Sequence, residues 1–218
     1  NTLKNIMSKN ISNKSFIGMG YYNTFTPFPI KRHVLENPLW YSAYTPYQSE
    51  ISQGRLESQY NYQTVIKELT GLPISNSSLL DEASSSSEVI NICYAYHKRE
   101  KKTLVCSDKL HPQTLDVIKT RANILNINLI ITDFTSNIFN LNFNDVFGIM
   151  FQYPDTYGNI NIPHNIIQIA KEYDIITSCA TDLMALTKLI SPGELGIDIA
   201  FGNSQRFGIP LWYGGPHP

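Results

Sequence analysis

Four short segments place side chains capable of chemistry where predicted strands end. They are SLLDEASS (78–85), QYPDTYGN (152–159), CATDLMAL (179–186) and GNSQRFG (202–208). In the first, serine hydroxyls cluster at a predicted helix start, where free N–H groups favour a phosphate. Asp81 and Glu82 stand at the same entrance and would repel one. Capping by Asp81 or Ser84, with Glu88 in the first turns, accounts for these residue types without a ligand. Asp155 beside Gly158 reads as turn chemistry, an aspartate bonding its own backbone. His111 and His164 flank prolines at helix starts and read as solvated or capping residues. The last stretch, FGNSQRFGIPLWYGGPHP (201–218), has the glycine punctuation of an active-site turn. It contains no lysine, cysteine or aspartate to act as nucleophile or base.

A second group lies upstream. The segment from Tyr41 to Gln63 is dense in tyrosine and glutamine. Tyrosine buries a ring while offering a hydroxyl, which suits the wall of a small-molecule pocket or a protein interface. The same composition also suits a loop packed across a domain face, and residue types alone leave both readings open.

Regular alternation supplies the elements that must position these residues. TLVCS (103–107), LNINLIITD (125–133), VFGIMFQYP (146–154), IITSCATD (175–182) and GIDIAFG (196–202) read as strands. Helical patterns over Ser84–Lys98, from His111 and over Pro163–Tyr173 lie between them. This order predicts an α/β domain with a mostly parallel, doubly wound sheet and ligands at the carboxyl ends of its strands. We place that domain at residues 76–218 and an N-terminal arm at residues 1–75. Turn signals dominate the arm, and one clear helix runs from about Gly54 to a stop at Gly71.

Composition sets outer bounds. The 218 residues carry 17 basic and 18 acidic side chains, which gives no electrostatic case for nucleic acid. No apolar run approaches a membrane span. Three cysteines without metal-like spacing suit buried thiols in a reducing compartment. The first residue is Asn, no signal peptide follows, and the end is abrupt, so a piece of something longer is expected.

Five blocks together carry a resemblance: SFIGMGYYN (15–23), LENPLWYSAYTPYQSEISQGRLES (35–58), SLLDE (78–82), QYPDTYG (152–158) and the closing FGNSQRFGIPLWYGGPHP. In this order they resemble the glycine cleavage system P-protein family, the glycine decarboxylases or aminomethyl-transferring glycine dehydrogenases. The family usually has Gly-Thr-Ala-Ala-Ala at Ala83–Ser87, Gly at Trp212 and Ala at Pro218, so the match departs locally.

The resemblance implies the large domain of a fold-type-I transferase dependent on pyridoxal phosphate. The family is similar to two fused copies of that fold, and this chain resembles the front of the first. The cofactor lysine belongs to the second copy, and its counterpart here falls on Gln205 or Arg206, depending on a one-residue gap. The aspartate facing the pyridinium nitrogen falls, by the same count, on Cys179; Asp182 reads as a helix cap or subunit contact. The phosphate loop falls on LLDEASS. No catalytic, cofactor-binding or metal residue is therefore expected in this chain, and alone it should not decarboxylate glycine. The implied partners are glycine, the lipoyl-bearing H-protein and the lysine-bearing half, within a dimer of the full enzyme. The implied location is bacterial cytoplasm or mitochondrial matrix. In this light Tyr44, Tyr47, Gln48, Ser52 and Gln53 become the residues that reach toward the other half's site. A non-catalytic scaffold that stabilises that half and docks H-protein is the competing expectation.

Overall fold

The computed structural model describes residues 1–211 apart from 12, 15, 22, 42–46 and 136–140. Its centre is a five-stranded sheet of β1 (Thr103–Ser107), β2 (Asn128–Thr132), β3 (Val146–Tyr153), β4 (Ile176–Asp182) and β5 (Ile199–Asn203). The order is β2-β1-β3-β4-β5, and every neighbouring pair is parallel. β1 is buried at all five positions and β3 at all but Gln152. Those strands therefore lack the polar alternation of a one-sided sheet.

Helices cover both faces. On one, Val89, Ile90 and Cys93 of α5 (Glu82–Tyr96) and Ile118 and Ala122 of α6 (Pro112–Ile124) pack on Leu104, Phe147, Met150 and Phe201. On the other, Ile166 and Ala170 of α7 (His164–Glu172) meet Val105, Val146 and Ile149. Farther along that face Ile167 joins Phe151, Tyr153 and Cys179. The expected doubly wound α/β arrangement is thus present. All three thiols lie in this interior, and burial pushes Cys93 up to about 12 and raises Cys106 and Cys179 as well. They belong to the packing and not to reactive chemistry.

The arm holds more helix than its turn signals suggest. Helices α1 (Thr2–Met7), α2 (Phe28–Leu35) and α3 (Pro38–Tyr41) precede α4 (Gln53–Thr70). Pro29 and Pro38 stand in the first turns of α2 and α3, where their missing N–H costs nothing. α4 ends as expected on Gly71, in the left-handed region at φ 68°. Its three-to-four apolar spacing does not bury a full face: Leu56, Ile66 and Leu69 are half-buried and Tyr60 is exposed. Among the described residues, none before Ser52 is buried.

Candidate functional site

The parallel sheet directs its strand ends toward one cavity of about 380 Å³. Gln152 of β3, Thr181 and Asp182 of β4 and Asn203 of β5 form its floor. Asp81, Glu82 and Ala83 at the start of α5, and His111, Gln113 and Thr114 at the start of α6, form one wall. Met19, Gly20 and Tyr21 of the arm lie across it, with Gln205 and Arg206 opposite. The four loops singled out from the sequence therefore converge on one place.

Local chemistry settles several alternatives. Asp81 caps α5, its Oδ1 accepting from the Ser84 N–H at 2.7 Å. Asp155 Oδ1 accepts from the N–H groups of Tyr157 and Asn159, both at 2.9 Å, as a turn aspartate does. Burial opposes its charge, but these bonds and the Asn159 side chain win and hold its carboxyl below the ordinary range. His111 caps α6, its Nδ1 accepting from the Gln113 N–H at 3.3 Å. α4 takes Ser52 as its N-cap residue, without a side-chain cap bond.

Asp182 and Arg206 form an ion pair at the cavity. Arg206 Nε donates to Oδ1 at 3.0 Å and Nη2 to Oδ2 at 2.8 Å, a two-bond fork. Asp182 Oδ1 also accepts from the Met184 N–H at 3.1 Å, a bond inside its own loop; the short helix that follows, Ala185–Thr187, starts after Met184 without a side-chain cap, so the expected capping role is not found. Both counterparts of the lysine position reach the cavity: Arg206 through this pair, and Gln205 as a residue only 2% exposed. Cys179 packs in the α7-side cluster and does not line the cavity.

Glu82 completes the picture. Thr114 Oγ1 donates to its Oε1 at 3.1 Å. Burial pushes the carboxyl pKa up, the Thr114 bond opposes this, and the neighbouring Asp81 and Asp182 charges add to the rise. A carboxyl raised in the folded state keeps its proton longer folded than unfolded. Its contribution is therefore full below the ordinary value of 4.5 and is lost as pH climbs through the raised one. Glu82→Gln keeps the acceptor for Thr114 and removes the charge. We expect the variant to unfold at a higher temperature than the parent at pH 7, with the advantage gone by pH 4. An equal advantage at both pH values would show that the charge is not its source.

A phosphate-bearing aldehyde cofactor does not fit this cavity. Among the described residues no lysine lines it, two carboxylates stand at the α5 N-terminus, and its arginine is bonded to Asp182. No group of metal-ligating side chains and no helix able to cross a membrane occurs among the described residues.

The arm candidates lie elsewhere. Tyr47 is exposed, Gln48 accepts from the Ser52 N–H at 3.1 Å through its carbonyl, Ser52 is buried, and Gln53 is the exposed first residue of α4. None of these four lines the cavity, and Tyr44 lies outside the described residues.

The family model of the glycine cleavage system P-protein matches residues 1–218. This chain belongs to that family. A glycine dehydrogenase (decarboxylating) of Photobacterium profundum is 50% identical over 216 residues, covering 99% of this chain and 22% of that protein. The mitochondrial enzyme of the same name from Solanum tuberosum is 49% identical over 215 residues, 99% of this chain and 21% of its own. The chain thus spans about a fifth of the length of these relatives. The crystal structure of a glycine decarboxylase (P-protein) in inhibitor-bound form superposes with a TM-score of 0.84 at 27% identity, over 99% of this chain and 49% of that one. The P-protein family thus accounts for the fold-type-I architecture and for all five sequence blocks.

Proposed function

We propose that this chain is the non-lysine part of a P-protein that decarboxylates glycine and passes the aminomethyl group to the lipoyl arm of H-protein. The observation that carries this reading is family membership over the whole chain, joined to a strand-end cavity with no lysine among its described lining residues. Pyridoxal phosphate supplies the electron sink for such a decarboxylation when bound. In this reading it is held by a lysine outside these residues, in the same chain or in a separate subunit, within a dimer of the full enzyme. The enzyme works in the cytoplasm of a bacterium or the matrix of a mitochondrion.

Residues 1–75 then serve as an arm with its helix, and residues 76–218 as the α/β large domain that carries it. Tyr44 and Tyr47 wall the glycine pocket or the lipoyl entrance of the lysine-bearing half. Gln48, Ser52 and Gln53 set the base from which they extend. The exposure of Tyr47, at 82%, supports an outward-facing role. Changing Tyr44 and Tyr47 together to Phe in the complete enzyme removes two hydroxyls and keeps both rings. We expect the KM for glycine or for H-protein to rise roughly tenfold, the loss of about one hydrogen bond's worth of binding. Unchanged kinetics for both would sink the assignment. The scaffold reading is favoured by one observation, that none of the described candidates lines the cavity. Full glycine–bicarbonate exchange by the lysine-bearing half alone would decide in its favour.

A further inference from the structure

Among its described residues the arm crosses the cavity without an apolar anchor, since none of them before Ser52 is buried. Its place therefore rests on polar contacts. At one end the turn Gly18–Tyr21 sits on the start of α6, where His111 Nε2 lies 3.1 Å from the Met19 carbonyl and Gln113 Nε2 donates to the Tyr21 hydroxyl. At the other, Thr24 Oγ1 donates to the Ile209 carbonyl at 2.6 Å and Thr26 Oγ1 to that of Gly208. Farther on, Arg55 of α4 donates to the Leu39 carbonyl.

The His111 contact is built in advance. Its Nδ1 accepts from the Gln113 N–H, and a carbonyl can only accept, so the ring carries its proton on Nε2 and donates to Met19. The His111 main-chain N–H donates to Gln152 Oε1 at 2.8 Å, which ties the ring's base to β3. The turn it holds is unusual: Gly18, Met19 and Gly20 all have positive φ, at 68°, 52° and 86°. For Met19 that conformation is disfavoured and persists only where its surroundings hold it.

We propose that His111 and Gln113 are positioning residues of this P-protein chain: they latch the Gly18–Tyr21 turn over the strand-end cavity and so fix the path of the arm that leads to Tyr44 and Tyr47. Neither touches a reacting group in this scheme. The functional half of the inference rests on the reading of Tyr44 and Tyr47 given above, whereas the latch itself does not.

The test uses the complete enzyme in three forms: the parent, the double variant His111→Ala with Gln113→Leu, and His111→Gln, which keeps an N–H donor at similar reach. Hydrogen exchange is followed by mass spectrometry, with steady-state kinetics for glycine and H-protein on the same samples. In the double variant, peptides covering Gly18–Thr26 should exchange at least tenfold faster, while those of β1–β5 stay unchanged and so report an intact domain. His111→Gln should retain most of the protection. The KM for glycine or H-protein should rise in the double variant with kcat held. Equal exchange in the double variant and the parent overturns the latch. Faster exchange with unchanged kinetics upholds the latch and overturns the role given to Tyr44 and Tyr47. Should the double variant fail to fold, Gln113→Leu alone removes one exposed contact and is read by the same exchange ratio.

Discussion

Gly193→Ala should destabilise this domain by on the order of 3 kcal/mol, the upper range for overpacking a close contact. The Gly193 N–H donates to the Thr70 carbonyl at 2.8 Å, which brings two backbones together. A Cβ at Gly193 would stand 2.1 Å from the Gly71 carbonyl oxygen and 2.4 Å from its carbon. Neither backbone can yield cheaply, because Gly71 is the left-handed cap that ends α4 and its own Cβ position abuts Ser191 Oγ at 2.5 Å. The turn after Gly193 is closed too, with the Gly196 and Ile197 N–H groups donating to Gly193 and Pro192 carbonyls. The added methyl must therefore push the C-terminal end of α4 away from the Pro192–Gly193 turn.

That displacement would travel. Tyr62 of α4 donates to Ser204 Oγ at 3.2 Å and sets its ring edge-on to Phe207, so α4 holds the Gln205–Phe207 turn beside the cavity. Exchange protection of α4 amides in the complete protein should fall with Gly193→Ala. Gly54→Ala is the control: nothing lies within 4 Å of its Cβ position, and it stands in the same helix. It should be neutral or stabilising by about 0.5–1 kcal/mol. Retained α4 protection in Gly193→Ala would mean that the contact is not as tight as drawn.

The contrast between what was legible in the sequence and what was not follows sequence separation. The strands, the helices between them, the Gly71 stop, the Asp81 cap and the Asp155 turn depend on neighbours within a few positions, and all are found where expected. The convergence of four loops was legible as well, because a parallel doubly wound sheet has only one end from which such loops emerge. The short helices α2 and α3 were not. A proline-rich stretch without an apolar stripe reads equally as turn or as helix start, and no described side chain of either helix is buried to impose a period. Contacts across long separations were hidden altogether. His111 meets the carbonyl of Met19 across 92 positions, and no spacing rule joins them.

The Asp182–Arg206 pair belongs to that hidden class, and breaking it is the second large effect. Its side chains keep 31% and 27% of their exposure, so solvent screens part of the attraction. Arg206→Met nonetheless strands a carboxylate in a cavity already lined by Asp81, Glu82 and Asp155, and should cost about 1–3 kcal/mol at neutral pH. Asp182→Asn added to Arg206→Met should recover part of the stability, because it removes the orphaned charge. Strict additivity in the double-mutant cycle would show that the fork contributes nothing. Arg206→Lys tests the chemical side of the same site. It puts an amine at one of the two positions, Gln205 and Arg206, on which the family resemblance lets the lysine fall, yet Asp81 and Glu82 still oppose a phosphate and Asp182 remains to pair with the ammonium. Pyridoxal phosphate per complete enzyme, counted by its visible absorbance before and after borohydride, should not increase. An extra equivalent of reducible cofactor in Arg206→Lys would show that the absence of lysine alone had kept it out, and that the carboxylates at the start of α5 had no part in excluding it.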